Sequence, residues 1–268
     1  MRAGTKPILL IGAGHMGGAL IAGWRRAGAL APDELIIRDP YPGVEASAAA
    51  EWGAALNGPD ADLARANTVI LAVKPQTWRA TAEMTAPLLA SDATIISICA
   101  GVMAEDLSRS FGGRPIARVM PTTAAAIGRG AASVWAADAA ARAVARAVFE
   151  PLGAVVDLAD ESLMHAATAA SGSGPAYFYA LVEALQSAGE VAGLEPRAAR
   201  DLARATLIGA AVLMETSGED AATLRGQVTS PNGTTQAALD VLLGAEGLGL
   251  LMRRTVAAAA ARSRELGG

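Results

Sequence analysis

The chain has 268 residues, of which 52% are hydrophobic and only 4% aromatic, and its formal net charge is −4 at pH 7. This length gives room for one large domain or two modest ones, each with a buried core. The balance of 22 basic against 26 acidic residues is not that of a nucleic-acid-binding protein, and charges or glycines interrupt every apolar run before it could cross a membrane. We therefore expect neither nucleic acid nor a membrane as a partner.

Cysteine, histidine and lysine are rare, and their scarcity limits the chemistry. The single cysteine, Cys99, excludes an internal disulfide framework, and we expect it to be buried rather than reactive. It fits a reducing cytoplasm, where we place the protein because residues 1–7 lack a signal-peptide pattern. One cysteine and two histidines cannot build a His/Cys metal site, so we predict no metal.

The first part of the chain alternates short β-branched runs with alanine-rich segments, which is the pattern of a parallel sheet with crossover helices. We predict an α/β domain over residues 1–159. Strands are predicted at residues 8–11, 35–37, 68–73, 94–98, 116–119, 133–135 and 155–158, and helices at 16–27, 43–52, 77–89, 104–111 and 139–149.

Strand signals end at about residue 158, and the sequence is helical from residue 161 onward. Residues 160–268 are therefore predicted to form an all-α C-terminal domain. Segments 202–214 and 248–261 are apolar on most of their faces and need cover on more than one side. A second copy of the chain is the expected cover, so we predict that this domain serves dimerisation, in a homodimer or higher homo-oligomer.

A glycine-rich motif follows the first predicted strand. The run Gly12-Ala13-Gly14-His15-Met16-Gly17 matches G-x-G-x-x-G between a strand and a helix. The first glycine permits a tight turn, the second lets a pyrophosphate approach the backbone, and the third lets the helix pack closely on the sheet. The motif predicts a Rossmann-type domain and a cofactor, NADPH or NADH, bound here by Gly12, Gly14, His15, Met16 and Gly17.

The second predicted strand is followed by Arg38-Asp39. An acidic residue at this position binds the adenosine ribose hydroxyls and disfavours a 2′-phosphate, whereas a neighbouring arginine accommodates one. Because the chain offers both, the sequence leaves NADH and NADPH open. The carboxyl ends of two later strands add further predicted cofactor-binding residues, namely Ala72, Val73, Lys74, Pro75, Ala100 and Gly101. The alternative for Lys74 is an ordinary solvated lysine at a strand end.

A second anion site is predicted where Pro231-Asn232-Gly233 precedes an apolar helical segment. Such a turn leaves backbone N–H groups unpaired at a helix start, and the helix dipole favours a small anion such as a carboxylate there. The alternative is that Thr234 and Thr235 simply cap the helix. The two predicted sites together indicate a reductase that acts on a small acid.

Six segments, in chain order, make the sequence resemble the pyrroline-5-carboxylate reductases over nearly its whole length. They are residues 12–17, 72–75, 97–101, 118–121, 171–177 and 228–235, and the last two are specific to that family. The chain departs from the family pattern at Thr122-Thr123-Ala124, at Arg225-Gly226, and at Asn232, which replaces a glycine. An asparagine that the family has near the second crossover is also out of register here, with Asn57 only nearby. Asparagine tolerates a left-handed backbone, so we expect Asn232 to keep the turn.

The resemblance implies that NAD(P)H delivers a hydride to the imine carbon of 1-pyrroline-5-carboxylate, which becomes C5 of L-proline, in proline biosynthesis. A cyclic imine is readily protonated, so the protein needs mainly to hold this cyclic imino acid and aim the imine carbon at the nicotinamide. We assign the substrate carboxylate to the N–H groups of Asn232, Gly233 and Thr234 and to the hydroxyl of Ser230. Thr235 is the candidate catalytic residue, hydrogen-bonded to the ring nitrogen.

Three other activities share parts of this pattern. A β-hydroxyacid dehydrogenase has the same succession of domains, but that family relies on a lysine in its helical half, and Lys6 and Lys74 are the only lysines here. A reductase of another cyclic imine would need the same scaffold. The altered loop residues would also suit a dinucleotide-binding sensor without turnover, but the anion loop is retained.

Overall fold

The structure, a computed structural model, describes residues 3–266. Residues 1–2 and 267–268, the outer ends of the two predicted domains, lie outside the described residues. The described chain divides into two compact units, one formed by residues 3–172 with 259–266 and the other by residues 173–258. This division falls later than the predicted one after residue 159. Residues 160–172 contact the sheet, and the Nδ1 atom of His165 lies 3.0 Å from the Ser263 hydroxyl oxygen, which ties the end of the last helix to the first unit.

An eight-stranded sheet forms the centre of the first unit, in the order β3-β2-β1-β4-β5-β6-β7-β8. The strand order reverses between β1 and β4, and ligands of open α/β sheets bind beside such a point, at the carboxyl ends of the strands. The central strands are buried, as their largely apolar sequences predict. The strands are β1 Ile8–Ile11, β2 Leu35–Arg38, β3 Ala55–Leu56, β4 Thr68–Leu71, β5 Thr94–Ser97, β6 Ile116–Pro121, β7 Gly130–Trp135 and β8 Gly153–Asp157.

Two features of the sheet differ from the predicted one. Strand β3 was not predicted, and strands β6 and β7 pair antiparallel, whereas the other strand pairs in residues 3–266 are parallel. Only residues 122–129 join β6 to β7, and a parallel crossover needs about a dozen residues or more. The Rossmann-type arrangement is confirmed for β1 to β6, and β7 with β8 extends it.

Helices cover both faces of this sheet, and each face has its own apolar core. Helices α1, α2 and α5 pack on one face, where the Trp24 indole N–H also donates to the carbonyl oxygen of Val148 at 3.0 Å. Helices α3 and α4 pack on the other face. The helices of the first unit are α1 His15–Arg26, α2 Val44–Trp52, α3 Trp78–Thr85, α4 Ala104–Ser110, α5 Ala139–Phe149 and α6 Met164–Ala167, with a π-helical turn at Thr168–Gly172.

The second unit is entirely helical, as predicted, and it buries few side chains. Among residues 173–258 the buried positions are Gly174, Ala199 and Ala203, while leucine, valine and isoleucine side chains of α8, such as Leu202 and Ile208, are exposed. No described helix is long and apolar enough to span a membrane. The helices are α7 Gly174–Val191, α8 Pro196–Ser217, α9 Ala221–Gln227, α10 Thr234–Leu242 and α11 Leu248–Glu265, whose last turns belong to the first unit.

Candidate nucleotide and anion sites

The loop between β1 and α1 has the geometry that the glycine motif predicts. Gly12 has a φ of +94°, and a Cβ atom there would lie 2.6 Å from the carbonyl oxygen of Ala72. A Cβ atom at Gly17 would collide with the carbonyl oxygen of Gly12, so only glycine lets α1 begin this close to the loop. A Cβ atom at Gly14, in contrast, would meet no protein atom within 4 Å. The space at Gly14 is therefore free for a ligand to approach the backbone.

The start of α1 can hold a phosphate. Gly14 precedes the helix and provides no side-chain cap. The first-turn N–H groups, those of His15, Met16 and Gly17, have no partner inside the helix, and the helix dipole places partial positive charge there. Together with the open space at Gly14, these donors fit the pyrophosphate of a dinucleotide.

A cavity of about 740 Å³ lies next to this loop and adjoins the carboxyl ends of β1, β2 and β4. A smaller cavity, of about 420 Å³, lies in the second unit. The lining of the larger cavity includes seven of the predicted cofactor-binding residues: Gly12, Gly14, Arg38, Asp39, Ala72, Val73 and Lys74. A further cavity of about 570 Å³ is lined by His15 and again by Gly14. The remaining predicted residues, Met16, Gly17, Pro75, Ala100 and Gly101, line neither of these two cavities.

Hydrogen bonds fix the backbone and carboxylate of Asp39 at the end of β2. Its Oδ2 atom accepts a hydrogen bond from the Ala13 N–H at 2.5 Å, and its Oδ1 atom accepts one from the Tyr41 N–H at 2.7 Å. The Asn57 side chain accepts from the Asp39 N–H at 3.0 Å and donates to the Asp39 carbonyl oxygen at 2.8 Å. The Arg38 guanidinium is paired with Asp60 at 2.8 Å.

Tyr41, Asn57 and Asp60 also line the larger cavity but were not among the predicted cofactor-binding residues, and Asn57 was set aside as out of register with the family pattern. Asn57 has a φ of +50°, a left-handed conformation that asparagine adopts more readily than most residues. An asparagine shortly after the second crossover helix was the available signal for this position.

Cys99 is 4% exposed, and its Sγ atom lies 3.3 Å from the carbonyl oxygen of Val73. Burial raises the pKa of the thiol to about 11. The prediction that Cys99 is a buried core residue is confirmed.

We expect the Cys99 thiol of the folded protein to resist alkylation. With a pKa of about 11, only about one thiol in a thousand is ionised at pH 8, and the thiolate is the nucleophile. Iodoacetamide labelling followed by mass spectrometry should be roughly 100-fold slower or more in the native protein than in guanidinium chloride. Equal rates in the two conditions would contradict this burial.

In the second unit, the predicted anion loop joins α9 to α10. Asn232 has a φ of +58°, so the expected left-handed turn is confirmed. Gly233 is the residue that precedes the helix, and it provides no side-chain cap. Thr234 and Thr235 occupy the first two helical positions instead, so the interpretation that they cap α10 is wrong.

One part of the carboxylate assignment needs correction. The Gly233 N–H donates to the carbonyl oxygen of Ser230 at 3.0 Å and closes the turn, so it is not an unpaired donor. The unpaired first-turn donors of α10 are the N–H groups of Thr234, Thr235 and Gln236. Gly233 provides space instead, because a Cβ atom there would collide with the Ser230 hydroxyl.

The hydroxyls around this helix start differ in whether they are already bonded. Thr229 donates its hydroxyl to the Arg225 carbonyl oxygen at 2.6 Å. Within residues 3–266, the hydroxyls of Ser230, Thr234 and Thr235 have no hydrogen-bond partner; Thr235 is half-buried, whereas Thr234 is exposed. We take Ser230 and Thr235 as the hydroxyls available to a ligand at the start of α10, because the Ser230 hydroxyl lies within the turn and the Thr234 side chain lies in solvent.

A Rossmann-type domain with a phosphate-binding loop, together with an uncapped helix start suited to a carboxylate, defines a nicotinamide-dependent oxidoreductase of small acids. Residues 161–266 match the family model described as pyrroline-5-carboxylate reductase dimerisation, and residues 7–101 match the model of NADP oxidoreductase, coenzyme F420-dependent. The pyrroline-5-carboxylate reductase of Pseudomonas aeruginosa is 39% identical over 98% of this chain and 97% of its own length. The chain belongs to the pyrroline-5-carboxylate reductase family.

Solved structures agree with this assignment. The pyrroline-5-carboxylate reductase of Coxiella burnetii superposes with a TM-score of 0.89 at 29% identity, covering 98% of this chain and 99% of that one. The Plasmodium falciparum pyrroline carboxylate reductase, solved with NADP bound, superposes with a TM-score of 0.82 at 25% identity, covering 97% and 98%. The predicted fold class is confirmed, and the family's dimerisation region supports the predicted homo-oligomer.

The different surroundings of two glycines predict different effects of the same substitution. Gly14→Ala should weaken NAD(P)H binding by roughly tenfold or more, because the added methyl group enters the open space of the ligand without touching protein. Gly17→Ala should instead lower the melting temperature, because its methyl group meets backbone. Nucleotide fluorescence titration and thermal unfolding of both variants check this. An unchanged nucleotide Kd in Gly14→Ala would remove that residue from the site.

Proposed function

We propose that this protein is an NAD(P)H-dependent pyrroline-5-carboxylate reductase that forms L-proline from 1-pyrroline-5-carboxylate. The observation that carries the proposal is the start of α10. There a left-handed Asn232, an uncapped helix and the free hydroxyls of Ser230 and Thr235 lie together. They occur in a chain that matches the curated Pseudomonas aeruginosa relative over nearly its whole length.

The first task of these residues is to bind the substrate carboxylate. We assign it to the N–H groups of Thr234, Thr235 and Gln236 and to the Ser230 hydroxyl. Asn232 contributes its predicted N–H and keeps the turn, while Gly233 leaves room for the serine hydroxyl. Hydrogen bonds from N–H groups to a charged carboxylate are among the stronger ones in proteins, and the dipole of α10 adds to them.

The second task is to orient the ring. The bound cofactor supplies the hydride. The substrate arrives as the iminium ion, whose N–H donates to the Thr235 hydroxyl oxygen and fixes which face of the imine carbon is presented. Hydride addition to this carbon, which becomes C5 of proline, turns the iminium into a neutral secondary amine, which then takes a proton from water. No lysine or histidine acid is needed in this scheme, because the proton is already on the ring nitrogen before the hydride arrives.

The same proposal covers the surroundings of the enzyme. The exposed apolar side chains of the second unit support a homodimer or a higher homo-oligomer. A net charge of −4 supports a small-molecule substrate rather than nucleic acid. The free, buried Cys99 supports the cytoplasm as the place of action.

A comparison of two imines tests the proposed function. With NADH or NADPH present, the near-ultraviolet absorbance of the reduced nicotinamide should fall when 1-pyrroline-5-carboxylate is added, and L-proline should appear by mass spectrometry. Uncharged 1-pyrroline should react with a kcat/KM that is lower by roughly 100-fold or more, because this substrate has no carboxylate for the start of α10 to bind. Equal rates would favour a reductase of another cyclic imine, and binding of nucleotide without oxidation would favour a sensor.

A further inference from the structure

The end of β2 carries a carboxylate whose position is set from several sides. One carboxylate oxygen of Asp39 accepts a hydrogen bond from the Ala13 N–H, and the other accepts one from the Tyr41 N–H. The side-chain amide of Asn57 hydrogen-bonds both the N–H and the carbonyl oxygen of Asp39. Ala13 belongs to the glycine-rich loop itself. The carboxylate is therefore fixed to the same loop that binds the cofactor phosphates, and it lines the cavity next to that loop.

Asp39 still has capacity to bind a ligand. An ionised carboxylate offers about four lone-pair positions, and two of them are taken by the N–H groups of Ala13 and Tyr41. Both protein partners are donors, so the remaining positions are open to another donor. A ribose hydroxyl can donate to it, whereas a phosphate, which has oxygen acceptors and negative charge, cannot bind to it favourably.

The neighbouring arginine does not balance this charge. The guanidinium of Arg38 is 22% exposed and is paired at 2.8 Å with Asp60, which also lines the cavity. Asp60 is 70% exposed, so this pair alone is a weak restraint. Asp39, Asp60 and Arg38 together place two carboxylates and one guanidinium at the end of β2, which is an excess of one negative charge.

The other cation that lines this cavity is Lys74. It follows β4, and β4 and β2 lie on opposite sides of β1, so that Leu71 and Arg38 are both paired with Ile11. The two strands are therefore two strand spacings apart, about 10 Å. Lys74 belongs to the β4 side of the cavity, and the β2 side keeps its negative excess.

We propose that Asp39 makes this enzyme select NADH over NADPH, with Asn57 as the residue that positions Asp39. This inference rests on the proposed function, because it concerns the cofactor of that reaction. The two nucleotides differ only in the group on the adenosine 2′ carbon, a hydroxyl in NADH and a phosphate with nearly two negative charges in NADPH. Asp39 accepts a hydrogen bond from the hydroxyl and repels the phosphate.

Direct binding measurements on the full-length protein without substrate test the assignment. Titration of NADH and of NADPH, followed by nicotinamide fluorescence, should give the wild type a Kd for NADH at least tenfold lower than that for NADPH. Asp39→Ser removes the charge and leaves room for the phosphate, and Asp39→Asn removes the charge at constant size. Both should narrow the ratio of the two Kd values by at least tenfold.

Asp33→Asn is the matched control. Asp33 is exposed and lies just before the amino end of β2, at the opposite edge of the sheet, so the same loss of charge there should leave the ratio unchanged. Asn57→Ala should weaken NADH binding without strengthening NADPH binding, because it loosens Asp39 and keeps its charge. Melting temperatures of all variants show whether each one is folded.

Two outcomes would overturn the inference. A wild-type protein that binds NADPH as tightly as NADH would show that Asp39 does not discriminate. Folded Asp39→Ser and Asp39→Asn variants that keep the wild-type ratio would show that another group sets it. A failure of the proposed function would look different, because the imine would then not be reduced with either nucleotide.

Discussion

Thr235→Val is expected to lower kcat/KM for 1-pyrroline-5-carboxylate by roughly 10- to 150-fold while the Kd of NAD(P)H stays unchanged. The range corresponds to the loss of one hydrogen bond to a charged group, about 1.5–3 kcal/mol. Valine keeps the branched shape and the backbone N–H of the helix start. The carboxylate site therefore remains, and what is lost is the contact with the iminium N–H. Steady-state kinetics and nucleotide titration on the same preparation check both halves.

Thr234→Val is the control for this experiment. Thr234 precedes Thr235 in the first turn of α10, and its proposed contribution is its N–H rather than its hydroxyl. We expect its kcat/KM to stay within a few-fold of the wild type. Equal losses in the two variants would mean that valine disturbs the helix start as a whole, and no loss in either would remove Thr235 from the mechanism.

The second large effect is expected on stability. Glu161→Gln should lower the free energy of unfolding by about 3–5 kcal/mol, because it leaves the guanidinium of Arg118 buried without a counter-charge. Arg118 is 2% exposed and is paired with Glu161, itself 17% exposed, at 2.8 Å. The same Glu161 oxygen accepts the N–H of Ala104, the first residue of α4, at 2.7 Å. One carboxylate thus ties β6, the start of α4 and the segment before α6 together.

Urea denaturation at fixed protein concentration measures this loss. Glu105→Gln is a suitable control, because Glu105 is paired with Arg109 at 2.6 Å but both side chains are largely exposed. Removing that charge should leave the unfolding midpoint within experimental error, since exposed pairs of this kind contribute little. A Glu161→Gln variant as stable as the Glu105→Gln variant would contradict the role given to the buried pair.

The sequence predicts the nucleotide-binding part well because its signals are local. Runs such as residues 8–11 are apolar throughout, as strands buried on both faces are, and Gly12 and Gly17 of the following loop each meet a steric condition that only glycine satisfies. Strand β3 has no such signal. Ala55 and Leu56 form a strand only because they pair with Ile36 and Ile37, a contact made after the chain has folded back.

The direction of β7 was missed for a related reason. The predicted strands left residues 120–132 for the connection, which is long enough for a crossover. In the structure β6 continues to Pro121 and β7 begins at Gly130, and the shorter connection permits only an antiparallel return. Errors of a few residues in strand ends therefore decided the topology.

At the anion loop, residue types were predictable but hydrogen-bond partners were not. The Pro-Asn-Gly sequence indicates a turn, and Asn232 has the expected left-handed backbone. Whether the Gly233 N–H closes that turn or remains free depends on the geometry of all four residues. The same holds for Asn57, whose side chain meets Asp39 only when the second crossover is complete.

The scarcity of buried side chains in residues 173–258 has a consequence for how the enzyme behaves as its concentration changes. Apolar surface that the single chain leaves exposed to water is buried only when subunits associate, and this burial stabilises the fold. Association and folding of this region are therefore linked by mass action. Dilution therefore withdraws part of the stabilising free energy, and heat resistance rises with concentration. A cell that makes little of this protein would hold a smaller fraction of it in the folded state, and the loss of activity would be steeper than the loss of protein.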